Sequence, residues 1–350
     1  SFRIPIVRQM HNNLIKHFIV GLIIFSNLSF GKEFSELFTI YEPIKNSSNI
    51  EKSINISFNK MVYRLSGSDS PSNIWKIINS GVSRKDLIIS YSIKNIDNLS
   101  YLQVNFDQSL IIKAFNNLSI PVVGYSRPVV FFLIEIDSGS EAPYFLSSAI
   151  SPRRVDNILK DNMNKLSQDR GIFLELPIFD LEDTKTLSSM SVFNSPNEYI
   201  SSKYNYDNLI QIKITNSGLG EWILSGDINK SFIGNNFYQD LEEVFSQFLT
   251  KLIDQNLNDL AIVTSKNSEL YISLQGISSF DSYTESRQYL ERFIGIKTLE
   301  IVSFKDNIIT YKAKIVGDEA KLAKTIKNSS FLNIIDKNNS NNSLSLEYIK

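Results

Sequence analysis

The sequence predicts a multi-domain chain combining α/β and α+β architecture, on three observations. The run RPVVFFLIEID at residues 127–137 is continuously apolar until its end, as in a strand covered on both faces. It is followed by a helical pattern and a second apolar run, the order of a βαβ unit, for which parallel pairing and a right-handed crossover are expected. From residue 266 onward the patterns run strand, helix, strand, strand, helix, strand, the order of a ferredoxin-like fold. With 350 residues, 42% of them hydrophobic, the chain exceeds the usual size of one core. Changes of rhythm near residues 121–127 and 259–267 divide it into a small α+β domain at 32–122, a mixed α/β domain at 123–260 and a ferredoxin-like domain at 266–337. A segment at 1–31 precedes them and a polar tail at 338–350 follows.

The first segment carries Lys16, the apolar stretch 18–25, then Ser29 and Gly31. This is the order of a secretory signal peptide, with cleavage expected after Gly31 and Met10 as a possible start. A membrane-spanning helix needs about 20 apolar residues, and Ser26 and Asn27 interrupt the run. In the first domain, LFTIYEPI reads as a strand. Ile50, Ile54, Phe58, Met61, Val62 and Leu65 then recur at helical spacing, and Gly67 supplies the stop. A short helix at SNIWKII precedes the strands DLIISYSI and LSYLQVNFD, after which Asp107 caps the helix QSLIIKAFNNL.

In the second domain, Ser151 and Pro152 are suited to open a helix whose Val155, Ile158, Leu159, Met163 and Leu166 form one face and which Gly171 ends. The run IFLELPIF supplies a second buried strand. PNEYISSKYN reads as a helix, NLIQIKI as a strand, and EWILSGD and SFIGN as antiparallel additions. A long amphipathic helix follows, with Leu241, Val244, Phe245, Phe248 and Leu252 inward. In the third domain Asp306 and Asn307 mark a hairpin. Its sheet lacks the glycine-and-aromatic signature of an RNA-binding domain, and KNNSNNSLSLEYIK at the end reads as polar.

Composition excludes several chemistries. Both histidines, His11 and His17, lie in the first segment and the chain has no cysteine, so the expected mature protein has neither. Imidazole is the usual base near neutral pH, and His and Cys supply most zinc ligands. Ser-His-Asp, Cys-His and ordinary zinc chemistry are therefore not expected, nor a cofactor, a disulfide or a lipid-bearing cysteine. Without Arg3, Arg8 and Lys16 the 36 basic residues fall to 33 against 37 acidic, a balance that gives no general attraction to nucleic acid. The GLG at 218–220 lies between strands, and LSGSDSP at 65–71 is followed by no Ser-x-x-Lys, so neither a nucleotide loop nor a serine nucleophile is read there.

The carboxylates Asp180, Glu182 and Asp183 stand just past a strand end, where open α/β sheets bind ligands. Asp is equally a residue that ends strands and caps helices. Met190, Val192 and Phe193 put apolar side chains beside them, making residues 180–193 a candidate docking loop. Arg153 and Arg154 stand in the first turn of a helix, against its dipole, which suits an acidic ligand or a solvated face. An enzyme reading is a carboxylate-dependent hydrolase of envelope glycans using two of Asp137, Asp180, Glu182 and Asp183. A third reading is a carrier of a small apolar ligand.

The phrases VNFDQSLIIKAFNNLSIPVVGYSRPVVFFLIEID, GIFLELPIFDLEDTKTLSSMSVF and LYISLQGISSFDSYTESRQYLERFIGIKTLEIVSFKDNIITYKAKIVGDEAKL together resemble domain of unknown function 2066, a family of gammaproteobacterial exported proteins. The resemblance spans residues 38–334. It departs at Gly124 and Tyr125, where members carry tryptophan before the Arg-Pro step. It implies a Gram-negative envelope location, periplasmic after signal cleavage, and brings no catalytic residues. The middle domain also resembles, at fold level, the α/β domains of periplasmic assembly factors in the flagellar T-ring, curli-secretion and Tol systems. The expectation is a non-catalytic interaction or assembly protein whose partners are envelope proteins.

Overall fold

The computed structural model describes residues 32–44, 50–180, 182–183, 185–186, 196–218, 220–263, 267–338 and 342–349. The expected signal segment and Met190, Val192 and Phe193 of the docking loop lie outside the described residues. Helices and several sheets alternate along the chain, which makes it a mixed α/β protein with more than one sheet. Three large clusters of buried apolar side chains run from Leu37 to Val122, from Val123 to Ala261 and from Leu270 to Leu346.

The first cluster sits between helices and a three-stranded antiparallel sheet. The strands are β2 (Thr39–Pro43), β3 (Ile88–Ile96) and β4 (Leu99–Phe106), in the order β2-β4-β3, and a separate two-stranded ribbon pairs β1 (Lys32–Glu33) with β5 (Ser126–Arg127). Helix α1 (Ile50–Ser66) buries Ile54, Phe58, Met61, Val62 and Leu65 at the expected spacing. Helix α2 (Ser72–Asn79) adds Ile74 and Ile77, and α3 (Gln108–Asn117) adds Ile111 and Phe115. The Asp107 carboxylate accepts the Leu110 amide at 2.9 Å, as its capping role requires. Leu102, Val104 and Phe106 point at the helices. Asp97 and Asn98 turn the β3–β4 hairpin with φ of 49° and 64°, a left-handed pair that matches the twist of the strands.

The second sheet has β6 (Val129–Asp137) at its centre, parallel to β9 (Asn208–Gly218) on one side. Antiparallel β10 (Glu221–Gly226) and β11 (Lys230–Ile233) extend it beyond β9. On the other side of β6 lie β8 (Phe173–Glu175), parallel to its first half, and β7 (Tyr144–Phe145), antiparallel to its end. Val130, Phe132, Ile134 and Ile136 face α4 (Arg154–Arg170) and α6 (Phe237–Asn258), whereas Phe131 and Leu133 face α5 (Pro196–Lys203). Both faces are covered, which is why the run at 127–137 shows no alternation.

Two expectations are corrected here. IFLELPIF forms only a three-residue strand, because β7 already occupies the edge beside the second half of β6. Helix α4 starts two residues later than Ser151-Pro152 suggests, with Arg153 at its N-cap. The preceding chain is committed elsewhere: the Leu146 amide donates to Ile134 and the Ser148 amide to Pro177, and the Ser151 hydroxyl accepts the Arg153 amide. On α6 the buried stripe is Phe237, Leu241, Phe245, Leu249, Ile253 and Leu257, with Val244, Phe248 and Leu252 at its margin.

The third sheet contains β12 (Asn267–Gln275), β13 (Ile296–Lys305), β14 (Ile308–Val316), β15 (Leu332–Asn338) and β16 (Ser343–Tyr348), in the order β13-β14-β12-β16-β15. Helices α7 (Phe280–Glu291) and α8 (Glu319–Lys327) follow β12 and β14. The reading of 338–350 as a polar tail is wrong. SLSLEY is an inner strand, parallel to β12, with Leu344 and Leu346 buried, and it displaces β15 to the edge. The expected four-stranded sheet is thus a five-stranded one, and it runs past residue 337.

The passage between the second and third clusters is packed. Val122 and Ile262 exchange backbone hydrogen bonds, and the Lys321 ammonium donates to the Asn258 and Ala261 carbonyls at the end of α6. Lys324 pairs with Asp259 at 2.9 Å. A β-carbon at Gly317 would stand 2.3 Å from the Ile262 side chain, and its φ of +85° independently favours glycine.

Candidate functional site

The candidate residues surround the carboxyl end of β6, but the sheet divides them. Phe145 and Phe179 meet at 6.4 Å on the α5 face, and the segment after β8 follows them to Asp180 and Asp183. On the α4–α6 face the Arg153 guanidinium lies 4.3 Å from the Tyr144 ring centre and pairs with Glu141 at 2.7 Å, while Arg154 covers Tyr238 at 4.2 Å. The arginines and carboxylates do not form the single surface their spacing allowed. Asp137 is occupied in a turn, where its Oδ1 accepts the Gly139 amide at 3.1 Å.

Asp180 and Asp183 cap each other. Asp183 Oδ2 accepts the Asp180 amide at 2.9 Å and Asp180 Oδ1 accepts the Asp183 amide at 2.8 Å, the reciprocal pattern of a helix start. Asp183 is 2% exposed, whereas Glu182 is exposed. The Lys203 ammonium at the end of α5 reaches Asp183 Oδ1 at 2.6 Å, and the Tyr199 hydroxyl donates to the same oxygen. These bonds, from Lys203 first, then Tyr199 and the Asp180 amide, pull the Asp183 carboxyl down to about 2. Burial opposes that shift and is outweighed by these bonds. The same contact raises Lys203 and Tyr199 above their ordinary values. A carboxyl held ionised at about 2 cannot serve as a general acid near neutrality, and its oxygens are occupied in fastening α5 to the segment after β8.

Three features lie outside the sequence expectations. Arg127 is 0% exposed. It donates through Nε to Gly124 O at 2.6 Å, through Nη1 to Arg64 O at 3.1 Å and through Nη2 to Val123 O at 3.0 Å. Burial, and then the charges of Arg64 and Arg170, push it below its ordinary value. Arg64 ties the start of β2 and the turn before it to the end of α4, donating to Thr39 O at 2.7 Å, Glu36 O at 2.9 Å and Gln168 O at 2.6 Å, and burial lowers it to about 10. These arginines join the first two cores through backbone carbonyls alone. Only the Arg-Pro step before an apolar run could have pointed to Arg127.

The second feature is an open polar groove of about 590 Å³ along α6, where Asp254 pairs with Arg170 at 2.5 Å and accepts the Asp69 amide at 3.3 Å. A hydrogen bond with Asp254, then burial, raises the Asp69 carboxyl. The third is an apolar groove of about 570 Å³ between the first turn of α7 and the hairpin β13–β14. Phe280, Tyr283, Ile301, Phe304 and Ile309 line it, and Phe280 and Phe304 are 78% and 61% exposed.

Among the described residues no three His, Cys, Asp or Glu side chains are grouped to hold a metal ion, and no helix is long and apolar enough to cross a membrane. Comparison with protein-family models, curated proteins and solved structures gives no match.

Proposed function

We propose that this chain is a non-catalytic interaction or assembly protein of the Gram-negative envelope, exported by its N-terminal segment and related to the domain of unknown function 2066 family. The order of its phrases and the signal-like residues 1–31 support the location. In this reading the third sheet is a ferredoxin-like domain extended by one strand, and the middle domain keeps its likeness to periplasmic assembly-factor domains.

The observation that carries the binding role is the apolar groove between α7 and β13. Six apolar or aromatic side chains line an open recess there, and large exposed apolar patches mark interaction sites. The hydrolase reading loses Asp183 as its general acid, since that carboxyl is spent on structure and held down to about 2. Glu182 keeps an exposed carboxyl in the middle-domain loop, which makes that loop a second docking surface.

In-cell crosslinking and purification of the tagged protein tests this reading. A partner captured by the wild type is expected to be lost when Phe280→Ser and Phe304→Ser are combined. Glu182→Ala reports on the loop without disturbing Asp183. Equal capture by all variants, with each correctly folded, rejects both surfaces. Because a small apolar ligand fits the same groove, displacement of a fluorescent fatty-acid probe from the wild type but not the double variant would instead favour the carrier reading.

A further inference from the structure

Sheet edges expose unpaired backbone groups, and proteins guard them with bulges, charges, proline or shortness. The edges of this molecule differ in that respect. β13 has two register shifts and carries Lys297, Glu300 and Lys305; β15 has one and carries Asp336 and Lys337. β2 has five residues and ends at Pro43, and β7, β8 and β11 have two to four. β3 has nine residues, and its register shift lies at its beginning, between Ile88 and Ser90. Beyond that point the edge 90–96 is regular and has one charge, Lys94. Tyr91 and Ile93 stand opposite the buried Val104 and Leu102, so they lie on the core-facing side of the sheet, yet they are 54% and 48% exposed.

We propose that this edge pairs with the same edge of a second copy of the chain, the two β3 strands running antiparallel about Ser92. A two-fold axis perpendicular to a sheet places one residue opposite its own copy, and opposed residues share a face. Centring on Tyr91 draws the irregular Ile89 into the paired segment. Centring on Ile93 sets Tyr91 against Asn95. Centring on Ser92 sets Tyr91 against the second copy's Ile93, and Ile93 against its Tyr91, an aromatic and β-branched pairing on the core-facing side. On the other face Ser92 meets Ser92 and each Lys94 meets a Ser90, so no like charges are opposed. The two three-stranded sheets become one of six strands, and the apolar lane that no described helix covers is covered by its own copy.

The chain has no cysteine, which makes a register-specific test direct. Under mild oxidation Ser92→Cys is expected to form a disulfide-linked dimer. Gln103→Cys, opposite Ser92 on the inner strand β4 and on the same face, should remain monomeric. Ser90→Cys and Lys94→Cys should each crosslink poorly alone and efficiently when mixed. In the cysteine-free chain, sedimentation velocity should show a concentration-dependent dimer. Tyr91→Lys combined with Ile93→Lys should return it to monomer with unchanged circular dichroism, since both side chains are already half exposed. Crosslinking of Ser92→Cys no faster than Gln103→Cys, or a monomer at every concentration, overturns the pairing. Partner capture through the α7–β13 groove is read separately and does not depend on this outcome.

Discussion

The Arg127 junction and the Asp183 fastening both bury a charged side chain, and they do so in opposite ways. Arg127 lies between two cores, meets only backbone carbonyls and has its cation disfavoured by burial and by two neighbouring arginines. Asp183 lies in the segment after β8, meets an ammonium and a phenol, and has its charge favoured. A buried charge with a counter-charge responds to pH; a buried guanidinium satisfied by dipoles responds chiefly to loss of its donors. Neither arrangement leaves a group poised for catalysis.

The largest effect should come from breaking the deeper tie. Arg127→Met fills much of the same volume but orphans the carbonyls of Val123, Gly124 and Arg64. At about 1–3 kcal/mol for each buried polar group left unsatisfied, the variant should lose several times that unit, roughly 3 kcal/mol or more. Urea titration measures it, and both the first and second cores should lose stability together, because the arginine joins them.

An intermediate effect, confined to one face, is expected at Asp183. Its folded value near 2 lies below the ordinary 3.8, so the fastening contributes fully above about pH 4 and is lost as pH falls towards 2. Hydrogen exchange over residues 178–203 should therefore quicken on acidification across that window, while β6 stays protected. Asp183→Asn should exchange quickly there at neutral pH and lose the acid dependence. An unchanged acid response in that variant would assign the transition to another group.

The smallest effect sharpens the contrast by removing burial altogether. Arg153→Ala breaks an exposed pair with Glu141, of a kind worth about 0–1 kcal/mol and weakened by salt. Thermal melting at low and high salt should differ between wild type and variant by no more than a small shift.

How far the sequence foretells this picture depends on whether a residue's task is local. The helix containing Ile54, Phe58 and Met61, the cap at Asp107 and the turn at Asp306-Asn307 follow from neighbours along the chain, and all are legible. The doubly covered strand at 129–137 is legible because burial on both faces leaves a continuous apolar run. β16 is not: its Leu344 and Leu346 alternate with serine over six residues beside an Asn-rich stretch, and its partner β12 lies some seventy positions upstream. Arg127 and Asp183 fail for a related reason, since the partners that fix their roles, Arg64 for the one and Tyr199 and Lys203 for the other, come from other elements. The acidic run at 180–183 suits a cap more readily than a site, and the Lys203 and Tyr199 contacts that fix Asp183 are invisible along the chain.

The place of β16 also sets an order of events. β16 follows the other four strands of the third sheet in the chain, so a nascent chain that has delivered β12 to β15 still lacks an inner strand. Until Tyr348 has emerged, β12 keeps an open edge and β15 has no partner in the finished order. The unit is completed from its end inward, and a chain halted before Ser343 is one that a protease or a holding chaperone can recognise as unfinished.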